Sequence, residues 1–182
     1  MPSISGRSFI IDPGHGGRYD GATYGTRKEK DVVLRFSRIL ESKLKAKGCT
    51  VYMTRTTDVD FGGSTADEDV NKRVQYINNN FPGVNGLISI HVNAAFGPPP
   101  HKYGPFYQTG TVSSKAFAEA IAKRYGTAAH EGDFAVIRDT NRAGQKTLIE
   151  LATIDESWLD NQASLENTAN FIILGLEDYT GY

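Results

Sequence analysis

The chain holds one cysteine, Cys49, among its 182 residues. A lone thiol excludes an internal disulfide framework and any metal site built from several cysteines. Neither charge is in excess: Lys+Arg number 20 and Asp+Glu 21, a formal net charge of −1 at pH 7. That balance argues against a broad basic face for nucleic acid, so no nucleic-acid partner is expected. No run approaches the roughly 18–20 apolar residues that cross a bilayer, so no membrane insertion is expected. The N-terminus, Met1 to Arg7, has no apolar stretch behind its one charge, and no secretory signal is visible there. There is no repeat, low-complexity tract or linker, and residues 1–182 read as one domain.

What is present alternates between short apolar runs and helical patterns. Phe9-Ile10-Ile11, Thr50–Thr54 and Leu87–Ile90 read as buried strands, as do Phe134–Ile137 and Thr147–Ile149, with Tyr103–Thr109 a further candidate. Between Lys30 and Lys47, Val32, Val33, Phe36, Ile39, Leu40 and Leu44 recur at helical spacing, and Gly48 is a natural stop. A second helix opens at Asp67-Glu68-Asp69, acids suited to a helix N-terminus, with Val70, Val74, Ile77 and Phe81 as its inward stripe. Ser113-Ser114 heads a third, carrying Phe117, Ile121 and Tyr125 inward; Leu165, Ala169, Ile172, Ile173 and Leu176 mark the last. The order β-α-β-α-β, a looser part, then β-β-α implies an α/β fold: a twisted, mixed, mostly parallel sheet of about six strands with helices on both faces. Two segments read as mobile surface loops, Asp58–Thr65 and Gly97-Pro98-Pro99-Pro100.

Three of the apolar strands end on a titratable side chain. FII runs into Asp12-Pro13-Gly14-His15-Gly16-Gly17, LISI into His91, and TLI into Glu150. Ligands of parallel α/β sheets bind outside the carboxyl ends of the strands, so His15, His91 and Glu150 converge there if their strands are parallel near neighbours. Glu29 opens the helix that packs back along the sheet, which puts it on the same edge. Two imidazoles and a carboxylate, with one position open, are a ligand set of catalytic zinc; a further carboxylate such as Glu150 then has the type of a general base. Each residue also has a plainer reading. His15 is a turn histidine, Glu29 a first-turn acid worth roughly 0.3–1 kcal/mol to its helix, and His91 a satisfied histidine at a sheet edge. Asp31 is the fallback ligand to Glu29.

The runs IDPGHGG, TVYMTRTTD, SIHVNA and LIELATID, with Glu29 opening a helix, resemble the catalytic domain of zinc-dependent N-acetylmuramoyl-L-alanine amidases. More narrowly they resemble the amidase domain of bacteriophage endolysins and bacterial autolysins. The likeness extends from Ile10 to about Asn161, with the motifs in family order. It implies His15, Glu29 and His91 as ligands of one Zn2+ per chain and Glu150 as the catalytic glutamate. It also implies peptidoglycan as substrate, cut between the lactyl group of N-acetylmuramic acid and L-alanine of the stem peptide. The sequence departs from the family just past Glu150: Ala152-Thr153 stand where many members carry Gly-Phe. A zinc peptidase acting within the stem peptide is the alternative enzyme, and an inactive wall-binding module the alternative from another class. The expected place of action is the bacterial wall. A phage-encoded chain would wait in the host cytoplasm for a holin, and a bacterial one would be secreted, with a separate or missing wall-binding domain supplying targeting.

Other residues read as structural. His101 and His130 fall in polar surface loops, and Cys49 is inert and packed. Arg55 and Arg73 are ion-pair donors, Asn93 bonds backbone in preference to substrate, and Tyr103, Phe106 and Tyr107 belong to the sheet core in preference to flanking a sugar or peptide. Ser89 has no nucleophile elbow around it, and no Lys-Ser/Thr follows the Gly-rich loop to make it a phosphate loop.

Overall fold

A computed structural model describes residues 3–94 and 102–182. The Pro-rich loop and His101 lie outside the described residues. The elements in chain order are β1 (Ser8–Pro13), β2 (Thr23–Tyr24), β3 (Arg27–Lys28), α1 (Glu29–Ala46), β4 (Thr50–Met53), α2 (Ala66–Asn80), β5 (Val84–Asn93), β6 (Gly104–Tyr107), α3 (Val112–Tyr125), β7 (His130–Glu131), α4 (Ala135–Arg138), β8 (Ala143–Thr153), a 3-10 turn (Ser157–Asp160) and α5 (Gln162–Asp178). Six strands form one sheet in the order β4-β1-β5-β8-β6-β7. β1, β4, β5 and β8 run parallel, and β6 is antiparallel to β8. The expected mixed, mostly parallel sheet flanked by helices is what the chain forms.

The two-residue period of a strand divides the core in two. Phe9 and Ile11, Ile88, Ile90 and Val92, and Ile149 and Leu151 face one way, into a cluster with α1, α3 and α5. Ile10, Leu87 and Leu148 face the other way, against Ile77 of α2 and Val136 and Ile137 of α4. On this second face the strands stay apolar for most of their length and turn polar near their carboxyl ends. Asp12 follows Ile10 on it, Ser89 and His91 follow Leu87, and Glu150 follows Leu148. The same alternation that builds the small core thus lines up the chemistry at its rim.

Three expectations are corrected. Phe134–Ile137 is not a strand; Ala135–Arg138 forms a single helical turn. Val70 is not part of the buried stripe of α2, being exposed. The segment Asp58–Thr65 is tied down: Asp58 accepts from the Gly17 amide at 2.7 Å, Asp60 pairs with Arg18 at 3.0 Å, and Asp69 accepts from the amides of Phe61 and Gly63. No helix among the described residues is long and apolar enough to cross a membrane.

Candidate metal centre

The glycines after β1 let the chain fold back sharply. Gly16 and Gly17 adopt φ of 129° and 56°, and between Gly14 and Gly16 His15 itself sits at φ 55°. A non-glycine residue there is strained by about 1–3 kcal/mol and persists only where its surroundings over-determine it. Two buried arginines do so. Arg55 donates to the carbonyls of Pro13 at 3.1 Å, Gly14 at 2.8 Å and Lys30 at 2.9 Å. Arg73 donates to the carbonyls of Pro13 and His15, both at 2.6 Å, and pairs with Asp12 at 2.7 Å. The ion-pair reading therefore holds for Arg73. Arg55 has no carboxylate partner among the described residues and works as a clamp on carbonyls. Burial, then the neighbouring Arg73 charge, pull its pKa down to about 10.

Asp12 anchors this clamp and was not singled out by sequence reasoning. It is fully buried and accepts from Thr54 at 2.6 Å and Ser89 at 2.8 Å besides Arg73. Burial works to raise its pKa, but the Arg73 charge and these bonds hold it below the usual carboxylate value. Removing one partner of such a pair strands the other charge in the interior. Asp12→Ala is expected to cost roughly 3–5 kcal/mol of stability, read from the denaturant midpoint. A change below about 1 kcal/mol would show that the pair does not anchor the loop.

Glu29 is aimed by backbone at both ends. The first amides of α1, those of Glu29 and Lys30, donate to the carbonyls of Ala22 and Asp20, so the helix start is fastened to the loop that carries on from His15. In return the Glu29 carboxylate accepts from the amides of Ala22 at 2.8 Å and Val92 at 3.0 Å. Its two oxygens reach His15 Nε2 at 3.1 Å and His91 Nδ1 at 3.0 Å. The histidine rings meet edge to face, their centroids 5.1 Å apart. Burial opposes the charge on Glu29, but the bonds from His15 and His91 hold its pKa well below the usual range. Asp31, the fallback, is exposed and outside the cluster.

One donor atom from each of His15, Glu29 and His91 lies within 4.8 Å of the others. Two ligands about 2.1 Å from one tetrahedral zinc stand about 3.4 Å apart, so the donor set fits such an ion with small adjustments. Glu150 is the register partner of His91 on the adjacent parallel strand. Its Oε2 is buried and has no hydrogen-bond partner among the described residues. Burial, then the Glu29 charge, push its pKa up to about 8. The structure thus brings together three side chains from different parts of the chain and sets Glu150 next to one of them. A cavity of about 500 Å3 opens from His15 and His91 past Asp12 and Leu148 toward Val70 and Phe134.

The remaining residues sort themselves by position. Cys49 is buried, its thiol on the Ile4 carbonyl at 3.2 Å. Asn93 donates to the Lys102 carbonyl at 2.9 Å. Phe106 and Tyr107 are core, but Tyr103 is half exposed, contrary to expectation. His130 lies in β7 rather than a loop, its ring 5.1 Å from that of Phe106.

Gly14 sets how closely the loop approaches the site. A Cβ added there would stand 2.6 Å from His91 Nε2. Gly14→Ala is therefore expected to turn the imidazole away and weaken metal binding by about 10–100-fold, the usual effect of losing a ligand's orientation. Competition against a zinc chelator measures this, and an unchanged affinity would mean that His91 is not a ligand.

The mostly parallel sheet thus carries a His-Glu-His donor set and a further carboxyl at its carboxyl edge, where ligands of such sheets bind. A family model for N-acetylmuramoyl-L-alanine amidases matches residues 9–178, and the chain belongs to that family. It is 37% identical over 98 residues to the germination-specific N-acetylmuramoyl-L-alanine amidase of Bacillus subtilis (strain 168); the match takes in 50% of this chain and 40% of that protein. Among solved structures it is similar to the catalytic domain of CwlV, an N-acetylmuramoyl-L-alanine amidase from Bacillus (Paenibacillus) polymyxa var. colistinus. That likeness has a TM-score of 0.77 and 27% identity, over 95% of this chain and 97% of the other. The CwlD amidase from Clostridioides difficile shares the fold, with a TM-score of 0.83 and 23% identity over 95% of this chain and 98% of that one.

Proposed function

We propose that this chain hydrolyses the amide bond between the lactyl group of N-acetylmuramic acid and L-alanine in peptidoglycan. His15, Glu29 and His91 would hold one zinc ion, and Glu150 would move the proton. The observation that carries this reading is the meeting of the three donor side chains beside a buried carboxyl whose Oε2 has no bond of its own. Bound there, zinc supplies Lewis acidity and a lowered pKa for water. The protein's own part is positioning and proton transfer. Glu150 takes a proton from the attacking water as its oxygen joins the lactyl carbonyl carbon. As the C–N bond breaks, the same carboxyl returns that proton to the departing nitrogen of L-alanine. Residues 1–182 act as one catalytic unit in this account.

Digestion of purified peptidoglycan tests the reading. New N-terminal L-alanine and free lactyl carboxylates are expected, lost on chelation and restored by zinc. Newly exposed D-alanine or diamino acid ends would instead make it a peptidase, wall binding without release an inactive module, and activity that survives chelation would remove the metal from the account.

A further inference from the structure

A second cavity, of about 440 Å3, opens at the far end of β8. Its walls combine aromatic rings from four separate elements with polar side chains: Tyr103 ahead of β6, Tyr125 at the end of α3, Trp158 in the 3-10 turn and Phe171 in α5, together with Thr153 and Glu156. Its size is that of a small-ligand site, and aromatic bodies with a few polar groups are the usual lining of one. Tyr103 keeps 50% of its surface exposed although it is a large aromatic next to a strand. Tyr125 is fixed by its hydroxyl, which donates to the Leu151 carbonyl. None of these residues takes part in the donor set or the proton transfer above.

We infer that this cavity, at the carboxyl end of the sheet but on the face opposite Glu150, is a saccharide subsite that holds the glycan strand as it runs around that edge, a proposal that rests on the amidase reading. The lining matches a pyranose, whose C–H face lies on an aromatic ring while its hydroxyl and acetamido edge bonds to groups such as Thr153 and Glu156. A lipid tail would find only Leu151 and Ala152 as aliphatic wall. The position also suits a glycan. Thr153 lies three residues beyond Glu150 on the same strand, roughly 10 Å away at the rise of a β-strand, and the odd offset puts the two side chains on opposite faces of the same sheet edge. It pairs with Asn93, two residues past His91, across an irregularity in the register. Thr153 is small and lines this cavity. A phenylalanine there would take up part of the cavity.

Trp158 is the only tryptophan in the chain, so its emission reports on this cavity alone. Titrating the full chain with a peptide-free β-1,4-linked N-acetylglucosamine tetramer is expected to give a saturable change in that emission. Thr153→Phe is expected to weaken the binding by about tenfold or more, equivalent to about 1.4 kcal/mol. Tyr103→Ala, at an exposed position outside the core, is expected to weaken it similarly; thermal melts of both variants confirm folding. No saturable change at millimolar sugar, binding by both variants as tight as that of the unsubstituted chain, or saturation by free stem peptide in place of sugar would each overturn the proposal. The titration is repeated after chelation, where sugar binding is expected to persist. A failed amidase assay with intact sugar binding counts against the catalytic reading, and the reverse result counts against the subsite.

Discussion

Replacing His91 with alanine is expected to leave a folded chain that holds no zinc after desalting and releases no L-alanine ends from peptidoglycan. His91 is half-buried and belongs to neither apolar cluster. Without it Glu29 keeps its bonds to His15, Ala22 and Val92. Stability of the metal-free protein should therefore change by no more than about 1 kcal/mol. The metal site, by contrast, drops from three protein donors to two. Lewis-acid stabilisation is worth several kcal/mol in such reactions, so turnover should fall on the order of 10³-fold or more. Metal analysis by mass spectrometry and a digestion assay read the two effects separately. A variant that stays active, or retains one zinc per chain, would show that the histidine is a sheet-edge residue and nothing more.

The architecture was legible because long strands and helices carry periodicity. The runs FII, LISI and TLI are apolar on both faces, as strands covered by helices must be, and their titratable ends already pointed to one edge. What escaped was short or non-local. The single turn Ala135–Arg138 contains Val136 and Ile137, and four residues are too few for a helical period to declare itself. The two-residue strands β2, β3 and β7 carry no pattern at all. Val70 obeys the helical spacing, yet it lines the open cavity beside the donor set, so correct periodicity gave the wrong burial. The work of Arg55 was invisible for another reason. Its acceptors are the carbonyls of Pro13, Gly14 and Lys30, and backbone carbonyls leave no mark in a sequence. Asp12 did leave one, as a charged residue directly after an apolar strand; its partner, Arg73, lies 61 positions away. Tyr103 was missed because its neighbours Phe106 and Tyr107 are core, and only the fold shows that β6 begins after it.

Glu150→Gln should separate chemistry from metal binding. The amide keeps the size and place of the carboxyl but neither takes nor returns a proton, so turnover is expected to fall by about 10²–10⁴-fold while zinc content stays at one per chain. The same substitution has a second, independent signature in chelator-treated protein. The groups facing Glu150 there are the Glu29 carboxylate, which repels its charge, and the His91 ring on the neighbouring strand. With its pKa raised from 4.5 to about 8, the folded chain keeps a proton that the unfolded chain gives up. The stability Glu150 contributes is thus fully present below about pH 4.5 and is lost as pH rises through about 8. The loss is on the order of 4 kcal/mol for the wild-type side chain. Glutamine has no such proton, so the difference in unfolding free energy between variant and wild type should move in favour of the variant from pH 5 to pH 9. Denaturant titrations of both metal-free proteins at the two pH values measure it. A difference that does not change with pH would mean that Glu150 is solvated and already ionised when folded. Such a carboxylate would still take the proton of the attacking water, and the loss of turnover in the glutamine variant would then rest on that step alone.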